Sequence, residues 1–227
     1  MCFGSVCMRI KFAILAAALC LSSAAQAVTT LTFDADTACG LTACADGSVI
    51  SQDYGDTADF NVTYATRAGV GATALIDPFV RFWSTDYGDL QGIAYASVEE
   101  GVTEIRIEPL GQRGLSFTAF DIAGWFRTNR NTSVHLFDLQ YNPLEAYDVV
   151  APGVGHERNE FVSYNVANGF ILQIGPDAFN SGIDNLVFDT LDAVPGVPEP
   201  SSWLMMILGF AFTGLAVRRS GRAAARA

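Results

Sequence analysis

The chain has 227 residues, half of them hydrophobic, with 24 acidic against 13 basic side chains for a formal net charge of −11. Six of the basic residues lie outside the stretch 28–197, which keeps 23 acids and 7 arginines, a net of −16. A surface this acidic repels phosphate backbones and argues against nucleic acid as a partner, while it suits solubility and divalent cations.

From Met8 the chain reads MRIKFAILAAALCLSSAAQA. Arg9 and Lys11 form a basic n-region, Phe12 to Leu21 an apolar run, and Ala25-Gln26-Ala27 a small-residue cleavage site, the three parts of a secretory signal peptide. The apolar run is too short to cross a hydrocarbon core about 30 Å thick, so residues 1–27 are expected to be removed and not to stay as an anchor. Cys20 follows Leu19 and not the small residue a lipoprotein signal wants. Cys2, Cys7 and Cys20 leave with this segment, and Cys39 and Cys44 remain in DTACGLTACADG. Two cysteines in an oxidising compartment are expected to pair and close a small loop; two free buried thiols are the alternative.

Residues 28–193 are long enough for one domain, an ectodomain once the leader has gone. They consist of short apolar runs cut by Gly, Asn, Asp and Pro: TLTFDA, FNVTYAT, FVRFWS, AYASVE, TEIRIEPL, LSFTAFDIAGWF, SVHLFDL, EAYDVVA, FVSYNV, FILQIG and IDNLVFDT, in chain order. Several alternate with period two, and β-branched and aromatic residues dominate them. In TEIRIEPL, Ile105 and Ile107 are expected to face the core while Glu104, Arg106 and Glu108 face away. With a turn signal every ten or so residues, the fold class is all-β and the expected architecture a jelly-roll-like β-sandwich.

Catalytic motifs are absent. HERNE at 156–160 has Glu160 where a metalloprotease helix needs its second histidine, and GVGAT at 69–73 lacks the Lys-Ser/Thr of a phosphate loop. No nucleophile elbow occurs. The two histidines, His135 and His156, have no Ser or Cys partner visible in sequence, so the chain is expected not to be an enzyme. Two weaker features remain. Asp34 and Asp36 near the start of the domain and Asp184 and Asn185 near its end offer hard oxygen ligands, and a structural Ca²⁺ stapling the two ends is one expectation; turn and edge-strand work for these aspartates is the other. Trp83, Trp125, Tyr54, Tyr87, Tyr95 and Tyr141 could supply flat faces for sugar stacking, against the ordinary core role of strand aromatics.

Residues 194–202 are a Pro-rich linker: Pro195, Pro198 and Pro200 bar a helix from extending backwards and leave an extended, accessible segment. Trp203 to Val217 follows without a charge, about 22 Å as a helix at ~1.5 Å per residue, marginal against ~30 Å of hydrocarbon. Trp203 stands where an interface aromatic belongs, Gly209 and Gly214 lie within the run, and Arg218 and Arg219 open a basic tail, 218–227, that is expected to stay in the cytoplasm. A single C-terminal transmembrane helix at 203–217 is therefore expected.

The stretch VPEPSSWLMMILGFAFTGLAVRR resembles the PEP-CTERM sorting signal of Gram-negative bacteria, with Val-Pro-Glu-Pro, a small-residue pair, a Trp-led apolar helix with glycines and an Arg pair in order. The resemblance covers about the last thirty residues. It implies recognition by an exosortase at Pro198, Glu199 and Pro200, transient membrane anchoring, and delivery to the cell surface or an exopolysaccharide matrix. A plain tail anchor is the alternative. The middle domain resembles, less specifically, the β-sandwich domains that precede such signals and close with a strand like IDNLVF. The resulting expectation is a secreted surface or biofilm-matrix protein with a structural or adhesive role. A carbohydrate-binding module for exopolysaccharide is the first alternative and a polysaccharide hydrolase the second.

Overall fold

The computed structural model describes residues 28–111, 114–166 and 168–191, with the backbone alone for 162–166. The expected signal peptide, the linker from 194, the membrane helix and the basic tail lie outside the described residues. Among the described residues there are twelve strands and no helix: β1 (Thr29–Leu31), β2 (Phe60–Arg67), β3 (Leu75–Asp77), β4 (Arg81–Trp83), β5 (Ile93–Tyr95), β6 (Val102–Pro109), β7 (Gly114–Gly124), β8 (Arg130–Phe137), β9 (Pro143–Ala151), β10 (Glu157–Val166), β11 (Phe170–Gly175) and β12 (Ser181–Leu191). Each apolar run read from the sequence coincides with or overlaps one of them, and β3 is the addition. HERNE lies at the start of β10, a strand and not a helix, and GVGAT is the turn of the β2–β3 hairpin.

The strands form two antiparallel sheets. The first has the order β10-β7-β12-β5-β4, with β1 also paired to β12, and the second the order β3-β2-β6-β11-β8-β9. The first and last strands therefore do lie together, Thr30 opposite Val187. The inner faces of both sheets share one core. Phe117 of β7 meets Phe161 of β10 at 4.6 Å and crosses to Phe170 of β11 in the other sheet at 4.7 Å, while Phe60 of β2 meets Phe188 of β12 edge-on at 4.8 Å.

One irregularity decides what the outer face of the first sheet carries. Leu115 and Phe117 point into the core, and so do Phe120 and Ile122, which is impossible on an unbroken two-residue period. The ladder between β7 and β12 shifts register twice: between Val187 and Phe188, where β7 carries the extra residue between Phe117 and Ala119, and between Asp184 and Val187, where β12 carries it and Asn185 takes a left-handed backbone with φ 50°. This is a β-bulge, and asparagine is among the few non-glycine residues that accept that conformation readily. Without the two shifts, Asp121 and Asp184 would point between the sheets. With them both stand on the outer face, opposite one another across the ladder.

In the second sheet Ile105 and Ile107 face the core as expected, but Glu104, on the outward side, is 2% exposed. Arg67 Nε and Nη2 donate to its Oε1 at 2.9 and 2.7 Å, Gln173 Nε2 donates to Oε2 at 2.6 Å, and the Tyr141 hydroxyl reaches both oxygens at 3.1–3.2 Å. Gln173 Oε1 in turn accepts the Gly71 N–H at 2.7 Å, which ties the β2–β3 turn down over this ion pair. Cys39 and Cys44 form the expected disulfide, with Cα atoms 5.3 Å apart, and pack against the core.

Candidate functional site

The outer face of the first sheet is built in rows. Pairing sets Arg158 of β10 opposite Asp121 of β7, and Asp121 opposite Asp184 of β12. Two residues along, Ala123 faces Gly182, and β5 and β4 extend the face with Ile93, Tyr95 and Trp83. The segment 84–92 folds over this face and seats Tyr87 and Leu90 on it. Two glycines permit that approach: a Cβ on Gly182 would lie 2.8 Å from Tyr87 and Ile93, and one on Gly88, with φ +57°, would lie 1.8 Å from the Gly155 carbonyl oxygen. The result is a face with a polar half toward β10 and an aromatic half toward β4.

In the polar half both carboxylates are almost wholly covered, Asp121 at 4% and Asp184 at 5% exposure. Arg158 Nη1 donates to Asp121 Oδ1 and Asn185 Nδ2 to Asp121 Oδ2, each at 2.8 Å. His156 Nδ1 lies 2.8 Å from Asp89 Oδ1, and its Nε2 lies 4.0 Å from Asp121 Oδ2, so the ring links the covering segment to the sheet. Among the described residues Asp184 has no cationic partner; its Oδ1 accepts the Phe33 N–H at 3.1 Å. Burial pushes the Asp184 carboxyl up to about 6; the Phe33 and Asn185 N–H groups oppose this, and the charges of Asp121 and Asp34 add to it.

A folded-state value above the ordinary 3.8 means that the native protein holds this proton more tightly than the unfolded chain does. The contribution to stability is full below pH 3.8 and is lost as pH rises from there through about 6, a cost of roughly 3 kcal/mol once ionisation is complete. Asp184→Asn keeps an acceptor for Phe33 and removes the charge. Urea unfolding at pH 5 and pH 7.5 is expected to show a smaller loss of stability between the two values in the variant than in the wild type, and a more stable variant at pH 7.5. Equal losses in both would place the titrating group elsewhere.

In the aromatic half, Trp83, Tyr87, Tyr95, Trp125 and Phe179 line a cavity of about 120 Å³. The rings are not coplanar. Trp83 meets Trp125 at 4.9 Å and 82°, Trp83 meets Tyr95 at 6.2 Å and 81°, and Tyr95 meets Phe179 at 5.5 Å and 75°. The Tyr87 hydroxyl donates to the Phe179 carbonyl at 2.6 Å.

Four of the six aromatics named from sequence thus converge, and the other two do not. Tyr54 packs beside Phe33 and donates to the Thr32 carbonyl, and Tyr141 serves Glu104. Of the proposed calcium ligands, Asp184 lies beside β1 as the expectation required, but Asp34 and Asp36 are exposed and Asn185 turns its amide to Asp121. Among the described residues no group of three or more His, Cys, Asp or Glu side chains is placed to hold a metal ion. His135 does have a serine partner: Ser133 Oγ lies 2.8 Å from its Nε2. The i, i+2 spacing on one strand face was the available signal, since such residues share a side. The Ser133 hydroxyl donates to the Gly175 carbonyl, however, so its proton already has an acceptor and the histidine ring has none to take. Burial lowers the His135 pKa, with Asp148 opposing.

The sorting residues Pro198, Glu199 and Pro200 and the membrane-segment residues Trp203, Gly209, Gly214, Arg218 and Arg219 lie outside the described residues, beyond the end of β12. The family model of the PEP-CTERM protein-sorting motif matches residues 196–220. The chain carries a PEP-CTERM sorting signal. A PEP-CTERM signal implies an exosortase as processing partner and is consistent with export to the cell surface or beyond. No curated protein matches the chain. Solved structures similar to it include the arabinose-bound MgGH51 α-L-arabinofuranosidase (14% identity, TM-score 0.34, 73% of this chain and 26% of that one). Others are the tailspike protein 4 enzymatic domain of bacteriophage CBA120 (11%, 0.29, 62% and 20%) and an exo-β-1,3-galactanase from Phanerochaete chrysosporium (16%, 0.28, 65% and 30%). The chain spans less than a third of each of these proteins, and likeness at this level assigns it neither substrate nor activity.

Proposed function

We propose that this chain is a secreted surface or biofilm-matrix protein, anchored transiently by its C-terminal helix, cut at the PEP motif by an exosortase, and structural or adhesive in role. The observation that carries the reading is the sorting motif at 196–220, directly behind a domain whose last strand ends at Leu191. The domain suits such a role. Its strands β5-β12-β7-β10 face β6-β11-β8-β9, the order of a jelly roll, in which both sheets close over one core. The reading assigns no catalysis to the domain, in which Asp121 is engaged by Arg158 and Asn185 and the Ser133 proton by Gly175.

The reading is tested by the mass of the mature protein from its native host, with and without Glu199→Ala. A wild-type mass ending near residues 198–203, lost in the variant, is the expected result. A mass reaching Ala227 in both would make the segment an ordinary anchor.

A further inference from the structure

We infer that the aromatic cavity on the outer face of the first sheet is a cage for a compact organic cation bearing a quaternary ammonium group, a site independent of the sorting reading. Three observations point the same way.

The first is shape. At about 120 Å³ the cavity falls below the ~300 Å³ at which common ligand clefts begin, so it takes one compact group and not an extended chain. Three wall pairs stand at 75–82°, and Tyr87 lies at 36° to Tyr95 and 48° to Trp125, so the rings share no common plane on which a sugar ring would stack and close around a small volume instead. Ring faces carry the negative lobe of the aromatic quadrupole, and several directed at one volume favour a cation there, above all one that has little hydration to lose. Burial raises the pKa of Tyr87 and Tyr95, so both walls stay neutral phenols at physiological pH.

The second is charge. Asp46 accepts the N–H of Ser84 beside Trp83 at 2.7 Å, Asp86 precedes Tyr87, and Asp177 lies two residues before Phe179. Two arginines stand there as well: Arg130 lies 3.8 Å from Asp177 and acts on Tyr87, and Arg81 donates to the Gly47 carbonyl at 2.6 Å, lies over the Phe79 ring and acts on Tyr95, so the local charges offset one another and the net charge of the domain is what favours a cation. The stretch 28–197, at −16, draws cations from solution.

The third is backbone strain. Of the six non-glycine residues with positive φ among the described residues, four lie on the segments that bring the cavity walls together: Asp86 (69°), Phe126 (49°), Arg127 (57°) and Asp177 (64°). Such conformations cost free energy and persist where surrounding structure enforces them, commonly at ligand sites. Here the Phe126 N–H donates to the Asp86 carbonyl at 2.9 Å, which clasps two of those segments at the cavity's edge.

The test uses the full chain in a polyoxyethylene detergent, which has no ammonium headgroup, and reads tryptophan fluorescence. Two of the three tryptophans line the cavity and the third is Trp203, so a Trp203→Phe background isolates the cavity signal. The probes are tetramethylammonium and choline, the neutral choline isostere 3,3-dimethylbutan-1-ol, methyl β-glucoside, and sodium chloride as the ionic-strength control. A saturable change with both cations, at least about tenfold tighter than with the neutral isostere, is expected. Trp125→Leu should abolish it. Equal affinity for the neutral isostere, preference for the glucoside, or no saturable response to either cation would overturn the proposal. If Trp125→Leu shows no cooperative thermal transition, the comparison of choline with its isostere on the intact cavity decides alone.

Discussion

Arg67→Met is expected to lower the stability of the sandwich by about 3 kcal/mol, the lower end of what stranding a buried charge costs. Glu104 lies under the β2–β3 turn, and its Oε1 takes two hydrogen bonds from the guanidinium. Methionine keeps the length of the apolar stem but none of the charge. Gln173 and Tyr141 still donate to the carboxylate, which is why the lower end applies. For a domain of this size each kcal/mol moves the melting temperature by about 2–4 °C, so a fall of roughly 6–12 °C is expected by differential scanning calorimetry. The control is Arg67→Met with Glu104→Leu, which leaves no charge to strand and should be less damaging than the arginine change alone. A loss below about 1 kcal/mol for Arg67→Met, as for exposed ion pairs, would mean that water reaches Glu104 as soon as its partner leaves.

Phe117→Ala is expected to cost about 3–5 kcal/mol. The ring is fully buried and is the one that Phe120, Phe161 and Phe170 share, from both sheets. Neighbours fixed in two hydrogen-bonded ladders cannot collapse into the gap, so lost transfer energy and the residual cavity add. Against a total of about 5–15 kcal/mol for a typical domain, this one change removes a large share of the stability, with a melting temperature lower by roughly 10 °C. Phe126→Ala is the matched control. Phe126 is 63% exposed, and its truncation should stay within about 0.5 kcal/mol. Similar losses for the two would mean that Phe117 is not central to the core.

What the sequence determined by itself was local. Alternating β-branched and aromatic runs announce strands because the side-chain period of a strand is two, whatever the strand pairs with. The β3 strand escaped because Leu75–Asp77 offers only two apolar residues, Leu75 and Ile76, adjacent and not alternating. The sorting signal was legible for a different reason: the residues that define the motif are contained in one contiguous stretch, 196–220. The disulfide was legible because only two cysteines remain in the domain, five residues apart.

Everything that depends on which strands become neighbours had to await the tertiary structure. Only the ladder between β7 and β12 shows the two register shifts that turn Asp121 and Asp184 outward together. Glu104 had the pattern of a solvated outward residue, and it is buried because turns distant in sequence fold over it. The aromatic cavity takes Trp83, Tyr87, Tyr95, Trp125 and Phe179 from separate segments that only the sheet order and the covering segment bring together. Periodicity reports the face on which a residue stands, because that follows from its own backbone; it does not report what stands opposite, because long-range pairing is settled by the joint burial of all the strands.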